Sequence, residues 1–105
     1  MKKIAGIFKS DDMQGQLRYS GAINALKKHK FYCNQKKNMF WYTTEDIKLI
    51  MNGELDREIL RRLNDATAII CYNDQIARLF SSIYLLRLIK KIPDDISIIS
   101  LMIWN

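Results

Sequence analysis

Four short apolar runs of the kind that make strands alternate with stretches of helix length, and that alternation leaves few folds open. The runs are "KKIAGIFK" (2–9), "MFWYTT" (39–44), "ATAIICYN" (66–73) and "DISIISL" (95–101), rich in apolar, β-branched or aromatic residues. Between the first two, Leu17, Ala22, Ile23, Ala25 and Leu26 recur on a helical stripe from about Gly15 to His29. Between the second and third, Ile47, Ile50, Met51, Leu55, Ile59, Leu60 and Leu63 carry a helical pattern as far as Asn64. Asn52 and Gly53 lower helix propensity midway and leave its division open. "DQIARLFSSIYLLRLIKK" (74–91) predicts a long third helix, ended before a strand that Pro93 introduces. The order βαβαβαβ predicts an α/β fold, an open three-layer parallel sheet of the flavodoxin-like or Rossmann-like kind with right-handed crossovers.

At 105 residues one domain with one core is expected. No apolar stretch reaches the ~18 residues of a membrane span, and the start "MKKIAGIFKSDD" turns acidic where a signal peptide would stay apolar, so a cytoplasmic location without membrane contact is expected. Cys33 and Cys71 show neither CxxC spacing nor a nearby histidine and read as reduced structural thiols. A net charge of +6 invites nucleic acid, but Lys27, Lys28, Lys30, Lys36 and Lys37 gather around one helix end and loop without a recognisable binding module, which favours a solvated surface. His29 stands among lysines and has no catalytic partner at motif spacing.

Ligands of open parallel sheets bind beyond the carboxyl ends of the strands. Lys9, Ser10, Asp11 and Asp12, then Gln14 and Arg18, follow the first strand; Tyr42, Thr43 and Thr44 end the second; Asn73 and Asp74 follow the third. Local chemistry alone reads Asn73 as a helix N-cap, Asp74 as a first-turn acid, and Asp11 and Asp12 as a helix start. It reads Arg18 as solvated and Tyr42 as core or sheet surface.

The stretches "GIFKSDDMQGQLRYSG", "ATAIICYNDQIA" and "IPDDISII" resemble, in order and spacing, the sugar-sensing domain of the lactose/galactose-repressor family. The family likeness implies a periplasmic-binding-protein-like sensor of two subdomains with the effector in the cleft between them, of which residues 1–105 match the carboxyl-proximal one. The implied effector is arabinose or a related sugar. Arg18, three residues before Gly21, and Asn73 match positions that touch effector hydroxyls in the family, and Asp74 matches the acid beside that asparagine. With Asp11, Asp12 and Tyr42 they form the candidate effector-binding set. Guanidinium, amide and carboxylate groups suit this task because each takes two hydrogen bonds in fixed directions. The family continues after its fourth strand with glycine, an aromatic residue and aspartate, whereas this sequence reads "SLMIWN" with Met102 at the aspartate position. A partial sensor is therefore expected, with DNA contacted only through a domain outside these residues.

Ile76, Leu79, Phe80, Ile83, Tyr84, Leu86, Leu88 and Ile89 form a band wider than one sheet-facing stripe requires. The resemblance places the equivalent helix in a dimer interface, so Phe80, Ile83 and Tyr84 are expected at a two-fold homodimer contact. Acids after the first and third strands also resemble a phosphoacceptor receiver domain, with Mg²⁺ at Asp11 and Asp12. Asn73 at the acceptor position and the lack of a lysine after the fourth strand weigh against it. No activated nucleophile, phosphate loop or metal-ligand spacing suggests an enzyme, and no cofactor or resident metal is expected.

Overall fold

The computed structural model of the chain describes residues 3–31, 33–63, 65–86 and 97–100. Its elements run β1 (Ile4–Lys9), α1 (Met13–Lys28), β2 (Met39–Tyr42), α2 (Asp46–Met51), α3 (Asp56–Leu63), β3 (Ala68–Cys71), α4 (Asp74–Leu86) and β4 (Ser97–Ser100). The four strands form one sheet in the order β2-β1-β3-β4, and each neighbouring pair is parallel. This is the expected α/β architecture. Pro93, Leu88, Ile89 and Met102 lie outside the described residues.

Strand alternation sorts the core into two layers. Ala5 and Ile7 of β1, Phe40 and Tyr42 of β2, and Ile69 and Cys71 of β3 face one side, where they pack with Ile50 of α2, Ile59 and Leu63 of α3, and Ile76, Phe80 and Ile83 of α4. Ile4, Phe8, Met39 and Ala68 face the other and pack with Ile23 and Leu26 of α1. Helices thus cover both faces, which is why β1, buried along Ile4–Phe8, reads as a continuous apolar run and not as an alternating one.

The second helical pattern divides at Asn52 and Gly53. Gly53 takes φ 82°, its N–H bonds the carbonyl of Ile50 at 3.2 Å, and the N–H of Glu54 bonds Leu49 at 3.0 Å. These paired bonds close a helix with a left-handed residue, a role glycine fills without steric cost. Lys30 occupies the same station after α1, at φ 59°, with Lys30 and Phe31 N–H groups bonded to Lys27 and Leu26 at 3.2 and 2.9 Å. Gly15 is required for a different reason: a Cβ there would lie 1.9 Å from the Lys9 carbonyl oxygen, so α1 can start this close to β1 only without a side chain.

For Phe80 and Ile83 the expected dimer contact is corrected by this packing. Phe80 is 0% exposed and Ile83 3%, both inside the larger core, with Phe80 edge-on to Phe40 at 6.2 Å between ring centroids. The crossovers β2-to-β3 and β3-to-β4 run on the same face, so Ile76, Phe80 and Ile83 of α4 share one core with α2, α3 and the sheet, and this described part of the apolar band is used within the chain. The side chain of Tyr84 lies outside the described residues.

Candidate functional site

Between β1 and β3 the connections part. The chain leaves β1 through α1 toward β2 on one face and leaves β3 through α4 toward β4 on the other. Such a reversal opens a crevice beyond the carboxyl ends of the two central strands. The sequence puts Lys9–Asp12 and Tyr72–Asp74 there.

Tyr72 joins the two loops. Its N–H bonds Ile7 at 2.8 Å, extending the β1–β3 pairing past the last strand residue. Its hydroxyl donates to Asp12 Oδ2 at 3.0 Å, and its carbonyl accepts from Arg18 Nη1 at 2.8 Å. The Arg18 guanidinium lies over the Tyr72 ring, with Cζ 4.2 Å from the centroid. Arg18 is on α1, one and a half turns in, so the helix N-terminus and the β3 exit must be set together for this contact to form. The remaining terminal nitrogen, Arg18 Nη2, is buried without a hydrogen-bond partner among the described residues. A buried unpaired donor of this kind is costly and is retained where a ligand or ordered water completes it.

The acids are committed in part. Asp12 caps α1 by accepting from the Gly15 N–H at 2.7 Å, and that bond, with help from Tyr72 and Lys9, lowers its pKa against the opposing effect of burial. Asp11 accepts from the Thr44 N–H at 2.9 Å, which likewise lowers its pKa and ties the β1 loop to the β2 exit. Lys9 Nζ stands 3.7 Å from Asp11 and 3.3 Å from Asp12. Burial pulls on the Lys9 ammonium, but the two acids outweigh it and raise its pKa. An ammonium between the two carboxylates takes the place that Mg²⁺ needs, and among the described residues no three His, Cys, Asp or Glu side chains gather to hold a metal. The geometry therefore counts against the receiver reading.

Asn73 caps α4: its Oδ1 accepts from the Ile76 N–H at 3.0 Å. That bond fixes the amide orientation and turns its nitrogen, which has no partner among the described residues, to the other side. Asp74 is exposed in the first turn of α4. Arg18 is not the solvated residue that local chemistry suggests, since it is half-buried against Tyr72. Tyr42 needs correction as a ligand contact. Strand alternation points it into the larger core, it is 2% exposed, burial drives its pKa up, and its ring meets Tyr72 edge-on at 6.4 Å. It backs the site and does not line it. Tyr72 itself was not among the sequence candidates; the usable signal was its place between the last strand residue, Cys71, and the cap, Asn73.

The chain aligns with curated relatives over nearly its whole length. It is 38% identical over 104 residues to an arabinose metabolism transcriptional repressor of Geobacillus stearothermophilus, and 32% identical over 102 residues to one of Halalkalibacterium halodurans. The chain resembles part of an arabinose repressor. Each match covers 93% of this chain but only 27% and 26% of the respective relative, so the chain spans about a quarter of their length. A solved LacI family transcription regulator from Clostridium acetobutylicum superposes with a TM-score of 0.71 at 24% identity, covering 94% of this chain and 35% of that one, which supports the shared fold. No family model matches the chain. The likeness to arabinose metabolism transcriptional repressors stands on the two curated relatives, and the solved regulator adds the shared fold alone.

Proposed function

We propose that this segment is the carboxyl-proximal half of the sugar-sensing domain of a cytoplasmic, homodimeric transcriptional repressor, and that it binds arabinose or a related small sugar at the carboxyl ends of β1 and β3. DNA binding belongs to another part of such a protein. The observation that carries the reading is Arg18 of α1, fixed over Tyr72 with Nη2 buried and unpaired among the described residues, beside the β3 exit that also carries the Asn73 amide. Charge supports a neutral ligand. Asp11, Asp12 and Asp74 offset Lys9 and Arg18, so an anion would meet three carboxylates, whereas a polyol can use donors and acceptors alike. The described exposed positions of α4 near its start, Gln75, Arg78 and Ser82, are polar, so self-association needs a surface other than Phe80 and Ile83.

Calorimetric titration of the full-length protein with arabinose tests the reading. Arg18→Ala and Asn73→Ser, the second chosen because serine still caps a helix, should each weaken binding by about 1–3 kcal/mol, as a polar partner on the sugar is left unpaired. Wild-type affinity in both folded variants would remove these residues from the site.

A further inference from the structure

We propose that Tyr72 is the positioning residue of this site: it clamps the Arg18 guanidinium in one orientation before ligand arrives, and so decides where the unpaired Nη2 donor points. The inference rests on the sugar-site reading for its ligand but not for its geometry. Three contacts from one residue meet in the clamp. The ring face carries the guanidinium at 4.2 Å, the backbone carbonyl holds Nη1 at 2.8 Å, and the hydroxyl ties the ring to Asp12 at 3.0 Å. Asp12 is in turn fixed by the α1 N-terminus and by Lys9, and Tyr42 closes off the Tyr72 ring edge-on. Any residue would supply the backbone carbonyl, but one needed only to fill core would use neither the hydroxyl bond to Asp12 nor the stack on the guanidinium. Leucine or phenylalanine would serve equally at 8% exposure. The long arginine side chain normally samples many rotamers, and holding it in advance removes that entropy loss from the binding step.

The clamp predicts a behaviour visible without any ligand. In the full-length protein, ¹⁵N NMR should resolve the two Arg18 Nη groups separately, because stacking and the carbonyl bond slow rotation about the Nε–Cζ bond. The backbone carbonyl survives any substitution, so the ring decides: Tyr72→Phe, which keeps the ring, should preserve that separation, and Tyr72→Leu, which removes the stack, should average it. Tyr72→Met is the second lesion if leucine does not fold. Free rotation in the wild type, or slow rotation surviving both lesions, overturns the proposal. A double-mutant cycle with arabinose supplies the second readout. Tyr72→Leu should weaken binding about ten-fold in the wild type and less than about two-fold in an Arg18→Ala background, since the effect passes through the arginine. An undiminished loss in the Arg18→Ala background would make Tyr72 an independent contact or a merely structural residue and would sink the clamp. If the wild type takes up no arabinose while the NMR signature holds, the sugar reading fails and the clamp stands.

Discussion

Asn38 shows how a single buried polar residue can be read from chemistry. It is 2% exposed, and its amide donates to the Arg62 carbonyl at 2.8 Å and to Asp65 Oδ1 at 3.0 Å, fastening the start of β2 to the end of α3. Lys37, Asn38 and Lys3 together outweigh burial and hold the Asp65 carboxyl at a pKa of about 2. Because the folded value lies below the ordinary 3.8, the ion-pair contribution is complete above about pH 4 and drains away as pH falls toward 2. Acid titration of stability should therefore be flatter between those values in Asp65→Asn than in the wild type. Asn38→Ala should cost about 1–3 kcal/mol by chemical denaturation, because two part-buried acceptors lose their donor. At this scale the sequence was informative where one residue acts through its own neighbours. Asn73 as a cap and Asp12 as a helix start are short-range relations of spacing. Tyr72 over Arg18 spans 54 residues, and nothing in local spacing could announce it.

Elements carry a second set of expectations. The Asn52–Gly53 break was visible as lowered propensity, and the structure gives it a mechanism in the left-handed cap at Gly53. The same cap at Lys30 is filled by a residue with a Cβ, which pays steric strain that glycine would not. Lys30→Gly should raise stability by about 1 kcal/mol, measured by thermal or urea unfolding, even though glycine usually weakens a helix. The third helix was read correctly as a helix, but two of its expected dimer contacts, Phe80 and Ile83, are core residues. The sequence shows how wide an apolar band is but not how many elements share its core, and Ile76, Phe80 and Ile83 lie in one core with the sheet, α2 and α3. Phe80→Ala should accordingly cost about 3–5 kcal/mol of folding stability, a core penalty and not a change in oligomeric state. A stable Phe80→Ala protein that simply dissociated on sedimentation would restore the interface.

For the whole molecule, the alternation of strands and helices was enough to predict a parallel sheet, because crossover handedness and helix-length connections leave few alternatives. The position of the crevice followed from that topology, whereas the strand order that places it between β1 and β3 became visible only with the coordinates. Basic charge misleads at the same scale. Lys3, Lys37, Arg61 and Arg62 are engaged with Asp65 and Glu58, so part of the +6 excess is spent on structural ion pairs far from the crevice. The central claim is that the β1 and β3 exits form one wall of a sugar cleft, with Arg18 prepared in advance. A crystal structure of the full-length protein with arabinose tests this most directly. The account predicts sugar hydroxyl oxygens within about 2.7–3.2 Å of Arg18 Nη2 and of the Asn73 amide nitrogen, with the guanidinium still over Tyr72. Sugar bound elsewhere, or Arg18 Nη2 paired with another protein group in the occupied cleft, would contradict it.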